Sequence, residues 1–202
     1  MCDLPSIIAL LGTAAGLITA SLVALGVAIA LNNGFFSAPG SPAAMVTAGA
    51  LVAAAAAVLG PASGLINDYV TCMNAGAACA GQLSNVQNAL AGLITVLGIQ
   101  AVASFAAAGI AWIPWAGQAP MWVILGSLVV QLALIPSVIV FFNDLVRCAE
   151  AVAASPPAGS SSGPLIAATA VIYLIAVIFF VRGSMKQPAK GKKKAKASRG
   201  RR

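Results

Sequence analysis

Ser6 to Leu31 reads SIIALLGTAAGLITASLVALGVAIAL, and none of these residues is charged. About 20 apolar residues at 1.5 Å each cross the hydrocarbon core of a bilayer, so this stretch is long enough to span one. It is also longer than the roughly 7–15-residue apolar core of a secretory signal, and no basic residue precedes it. It therefore reads as a first spanning helix. Three further runs have the same character, about Ala43 to Ile66, Val86 to Ile113 and Met121 to Phe142, and a shorter one extends from Leu165 to Val181. Together they predict an all-α, polytopic membrane protein of about five transmembrane helices. The composition agrees, with 60% hydrophobic and 7% charged residues, where a soluble domain averages about 25% charged.

Four of these helices read as two copies of one hairpin. A shift of 76 residues sets Ala15-Gly16-Leu17-Ile18-Thr19 on Ala91-Gly92-Leu93-Ile94-Thr95, and Ala43 and Met45 on Ala119 and Met121. The same shift sets Asn67-Asp68-x-Val70-x-Cys72 on Asn143-Asp144-x-Val146-x-Cys148. The last match uses residue types that are rare in this chain, which an Ala- and Leu-rich background does not supply by coincidence. Each unit holds two spans, so both copies enter the bilayer from the same side, as parallel repeats about an axis along the membrane normal. The expected organisation is a first hairpin over 1–76, with spans at about 6–31 and 43–66. A second hairpin covers 77–154, with spans at about 86–113 and 121–142. A Ser/Pro linker at 155–164, a fifth helix at 165–181 and a basic, disordered tail at 182–202 complete the chain. The two hairpins are expected to form a pseudo-twofold four-helix bundle, with a polar stretch, Asn67 to Asn85, between them.

Charge sets the expected orientation. Ten of the eleven Lys and Arg residues lie in the tail from Arg182 onward, while Asp3, Asp68, Asp144 and Glu150 fall on segments that a five-span topology places on the opposite face. Basic residues near a span end are retained in the cytoplasm, so the C-terminus is expected inside and the N-terminus outside. Trp112, Trp115 and Trp122 bracket one connection, and Phe35 and Phe36 lie in the equivalent one. Both then read as short interfacial loops, because aromatic rings favour the headgroup zone. Lys190, Lys192, Lys193, Lys194, Lys196, Arg199, Arg201 and Arg202 are candidates for contact with anionic lipid or with a partner, at about 1 kcal/mol per charge near the surface. The tail lacks aromatic residues for base stacking, so nucleic acid is not an expected partner.

Each unit also places one cysteine before its first helix and one after its second: Cys2 and Cys72, then Cys79 and Cys148. The two ends of an antiparallel hairpin lie on one side, with axes about 8–10 Å apart, within reach of a disulfide through short flexible ends. The repeat favours Cys2–Cys72 with Cys79–Cys148. The rival pairing is Cys72–Cys79 with Cys2–Cys148. There is no C-x-x-C and no histidine, which removes the commonest copper and zinc ligand and the usual base near neutral pH. No metal site, cofactor or catalytic residue is expected.

Other polar positions are few. Asn67, Asp68, Asn143 and Asp144 stand where spans are expected to reach the outer interface, as mouth or partner-contact candidates or simply as hydrated boundary residues. Gln100 and Gln131 fall near the middle of their spans, where an amide needs a hydrogen-bond partner. No charged residue lies at mid-depth, which argues against a pump, a proton-coupled transporter or a voltage sensor. In architecture a duplicated, small-residue-rich hairpin resembles the proteolipid rotor subunits of ATPases. Those need an ion-binding carboxylate within the bilayer, whereas Asp68 and Asp144 lie at its edge. Gly12, Gly16, Gly26 and the run Ala53 to Ala57 let helices approach closely, and packing within the chain is their first expected use. The expected function is a non-enzymatic structural or accessory subunit of a membrane complex, with lipid, other integral subunits or a second copy as partners. The alternative is a channel or facilitator for a small neutral solute.

Overall fold

The computed structural model describes residues 3–30, 42–110 and 118–153. They form four helices, α1 Leu4–Ala30, α2 Pro42–Cys72, α3 Ala80–Gly109 and α4 Gln118–Val152. All four are long and apolar enough to cross a membrane, the mark of an integral membrane protein. The fifth helix at 165–181, the linker at 155–164, the tail with all its basic candidates, and Phe35, Phe36, Trp112 and Trp115 lie outside the described residues.

Core positions repeat with alternating steps of three and four. Along α2 they are Met45, Ala48, Val52, Ala55, Leu59, Ala62 and Ile66, and along α4 Met121, Ile124, Leu128, Gln131, Val138, Phe142 and Leu145. α1 follows suit with Ile7, Ala14, Ile18, Ser21, Leu25 and Ala28. This is the seven-residue period of helices that pack side by side at a shallow left-handed angle. The buried apolar residues of all four helices join in one core.

Close backbone approach links α1 to α2, α2 to α3 and α3 to α4, and no other pair meets over more than an isolated contact. Among the described helices, the three tight seams thus all lie between chain neighbours. Even so, Ile7 and Leu25 on α1 and Ile124 and Leu145 on α4 are almost wholly buried.

The helices extend well past the apolar runs. α2 continues to Cys72 and α4 to Val152, while α3 begins at Ala80. The polar stretch read between the hairpins, Asn67 to Asn85, is therefore helical at both ends, and only Met73–Cys79 makes the connection. The reason is local: between Asn67 and Cys72 there is neither glycine nor proline, and polar side chains do not end a helix that has reached water.

What ends α2 is Asn74, in the left-handed region at φ 53°. The Asn74 amide donates to the Thr71 carbonyl and the Ala75 amide to the Val70 carbonyl, both at 3.0 Å, which is the paired bonding of a Schellman cap. Asparagine tolerates this conformation, whereas a β-branched residue does not. Asn74→Val is accordingly expected to lower stability by about 1–2 kcal/mol, with Asn74→Gly close to wild type, as read by detergent unfolding. Equal effects of the two substitutions would show that the backbone conformation is not what matters there.

At the other end of the chain, Asp3 caps α1. Its carboxylate accepts from the Ser6 hydroxyl at 2.5 Å and from the Ser6 amide at 3.3 Å. These bonds hold its pKa below the usual carboxylate range.

Candidate functional site

Most hydroxyls on these helices are satisfied within their own turn. Thr13, Thr19, Thr47, Thr95 and Ser137 each donate to the carbonyl four residues back, at 2.8–2.9 Å. Thr19 and Thr95, which correspond in the repeat, make the same bond, to Ala15 and Ala91. Polar side chains left for tertiary use are therefore few, and most of the buried ones form a layer where α3 packs on α4.

That layer centres on Gln100 of α3 and Gln131 of α4, which are 1% and 0% exposed. The Gln131 carboxamide donates from Nε2 to Oε1 of Gln100. The two glutamines read from the sequence as isolated mid-span amides are thus one bonded pair, 31 residues apart in the chain. One turn further along each helix, on the side of the α3–α4 connection, come Ser104 and Ser127, at 0% and 6% exposed. Ser127 donates to the Ile124 carbonyl at 2.7 Å. On α1, Ser21 is a third buried hydroxyl. The Oγ atoms of Ser21 and Ser104 are buried without a hydrogen-bond partner. Sequence reasoning missed these serines, since serine is common and each sits in an apolar run. The signal was present in their spacing: Ser104 and Ser127 lie four residues from the two glutamines, and Ser21 falls on the heptad stripe of Ile7, Ala14 and Ala28.

At the far end of the bundle, Cys79 and Cys148 form a disulfide with Cα atoms 6.0 Å apart. It ties the start of α3 to the last turns of α4, the pairing that the repeat favoured for the second hairpin, and it rules out Cys72–Cys79. Cys72 is disulfide-bonded as well. The expected partner, Cys2, lies outside the described residues.

Asn67, Asp68 and Asp144 are exposed and Asn143 is half-buried, all on the outer turns of α2 and α4. Their neighbours Tyr69 and Leu145 point inward at 5% and 0% exposure. The pairs are brought to the same end of the helices, on outward surfaces flanking the core, but they do not converge with the glutamines on one site. Among the described residues, no group of three or more His, Cys, Asp or Glu side chains is placed to hold a metal.

The small residues differ from expectation. A Cβ added to Gly12, Gly16, Gly60 or Gly64 would meet nothing within 4 Å, whereas at Gly49 it would press on the Phe105 ring at 3.1 Å and at Gly92 it would touch Leu134 at 3.7 Å. Close packing within the chain therefore uses Gly49 and Gly92, while Gly12 and Gly16 face outward. Ala53, Ala54 and Ala57 of the alanine run are exposed as well. Between α3 and α4 an apolar groove of about 760 Å³ also opens outward, floored by Gly98, Ala103 and Ala106 and walled by Ile99, Val102 and Val123.

Compared with protein-family descriptions, characterised proteins and solved structures, the chain matches none of them.

Proposed function

We propose that this chain is a non-enzymatic structural or accessory subunit of an integral membrane complex, docking through the small-residue surface of α2. The observation that carries the reading is one seam: Ala50, Ala53, Ala57, Gly60 and Gly64 follow one another at heptad spacing, and all are exposed. Helices associate in lipid through surfaces that let backbones come close. On α2 such a surface runs from Ala50 to Gly64, and among the described residues nothing meets it at Gly60 and Gly64.

In this reading the body is two tandem hairpins with the fifth helix beside them. The N-terminus lies outside, and the basic tail at the inner leaflet holds the subunit there by contact with anionic lipid. The disulfides lie on the outer side, where oxidising conditions keep them formed.

A second reading, a facilitator for a small neutral solute, draws on the polar layer in the core. The mutual bond of Gln100 and Gln131 counts against it, because it occupies the very groups a solute would use.

Gentle detergent extraction followed by mass spectrometry separates the two. A subunit brings stoichiometric membrane partners with it, and Gly60→Ile or Gly64→Ile releases them while leaving the chain's own unfolding midpoint in place. A protein that migrates alone and makes liposomes permeable to small neutral solutes overturns the subunit reading in favour of the facilitator.

A further inference from the structure

The apolar groove between α3 and α4 has a place and a length that point to its occupant. It runs from Thr95 to Ile110 on α3 and is met on α4 by Ala119 and Val123. It therefore lies toward the α3–α4 connection, away from the Cys79–Cys148 disulfide. Its walls are open, with Val102 69% and Ile99 49% exposed. Thr95 returns its hydroxyl proton to the Ala91 carbonyl, so the lining presents aliphatic surface throughout. From Thr95 to Ile110 the helix rises about 22 Å, more than half of the roughly 30 Å hydrocarbon thickness. A lipid tail is confined to one leaflet, whereas a helix fills such a length. The floor of Gly98, Ala103 and Ala106 is also the kind of surface on which helix backbones come close.

We propose that this groove seats the chain's own segment 165–181, antiparallel to α4, a placement that rests on the reading of that segment as a fifth span. The length of the chain and the place where α4 ends support this occupant. Segment 165–181 is uncharged and is followed directly by Arg182, and as a helix it rises about 26 Å. α4 ends at Val152, on the side of the disulfide. A span that follows it runs back toward the α3–α4 connection, where the groove lies. From Val152 to Ala119 the helix drops about 50 Å, so the linker must descend about 24 Å to bring Val181 level with Ala119. Residues 153–164 reach about 40 Å when extended, which also covers a sideways step of about 10 Å onto the groove. Arg182 is then level with the connection, clear of the hydrocarbon. So short a tether holds the segment at an effective concentration of about millimolar, ahead of a helix from a second copy. The seat also continues the rule of the other three seams, each of which joins chain neighbours.

Cysteine cross-linking in the full chain tests the seat. Ile172→Cys, Tyr173→Cys, Leu174→Cys and Ile175→Cys sample one turn at the depth of Val102. Each is combined with Val102→Cys in the groove or, as a control, with Val23→Cys, which is 62% exposed on α1. Mild oxidation should join at least one of the four to Val102→Cys within a single chain, seen as a linked peptide by mass spectrometry, and none to Val23→Cys. Gly98→Leu should abolish that link by filling the floor. A Cβ at Gly98 meets nothing within 4 Å, so the Cys79–Cys148 peptide should still be recovered. A link that survives Gly98→Leu overturns the proposal, as does a link to Val23→Cys alone or none at either position. A link to Val102→Cys found only between two chains overturns it in favour of a second copy. The span itself is read separately, with Ser160→Cys and Ser184→Cys in sealed vesicles. A membrane-impermeant thiol reagent should reach them from opposite sides, and labelling of both from one side overturns the proposal at its premise. Opposite-side labelling without a groove link refutes the seat alone. Neither result bears on partners held by α2, which co-purification reads.

Discussion

Serine in place of Cys148 lowers the unfolding free energy by about 2–4 kcal/mol. The Cys79–Cys148 bond joins residues 69 apart in sequence. Cross-linking across so long an interval removes much of the freedom of the unfolded chain, and the benefit grows with the interval. It also holds the first turn of α3 against α4 at the end of the core that Leu145 and Ala149 close. Cys79→Ser is expected to cost the same, and the double variant no more than either single one. A shift of under about 0.5 kcal/mol would mean that the helix seam alone fixes this end. Mass spectrometry of the unreduced protein should recover the peptide joining Cys79 to Cys148, and alkylation without reductant should label no cysteine.

Gln131→Leu comes next in size. Its side chain is the donor to Gln100, and leucine leaves the Gln100 carboxamide buried at 1% exposure with that bond lost. An orphaned buried polar group costs about 1–3 kcal/mol, and the reverse change, Gln100→Leu, strands Gln131 in the same way. The double variant Gln100→Leu/Gln131→Leu is expected to recover most of the loss, because two leucines of similar volume meet across the α3–α4 seam with no polar group left over. A double-mutant cycle by unfolding in mixed micelles measures the coupling. Strict additivity of the two single losses would show that the amides do not depend on each other.

The spans were legible because hydrophobicity and length are properties of the sequence itself. Four uncharged runs longer than a bilayer is thick have few other ways to fold. Helix ends were harder to read. Asn67-Asp68 and Asn143-Asp144 signal the change from lipid to water, which is not the end of the helix, because α2 and α4 continue across it. The true terminator, Asn74, acts through its φ angle, which shows in sequence only as an ordinary asparagine. The glutamine pair was half visible: each amide announced a need for a partner, but only the packing of α3 on α4 identifies it. Gly12 and Gly16 were the reverse case. Their residue types are right for close packing, yet the direction each one faces follows from the heptad phase. Ile7, Ala14 and Ile18 hold the core stripe of α1, and the two glycines fall on the opposite face.

The outward seam of α2 keeps the same seven-residue period as its core stripe, offset around the helix. A straight α-helix advances by 3.6 residues per turn, so a seven-residue stripe drifts by about 20° with every two turns. Over the five positions from Ala50 to Gly64 the seam therefore winds gently around the helix. A rigid rod laid parallel to α2 would touch it at one level and part from it above and below. A partner that follows it from end to end must itself coil around α2 with a left-handed twist, with its own contacts repeating every seven residues. The geometry of this one helix thereby narrows the kinds of transmembrane segment able to lie along it.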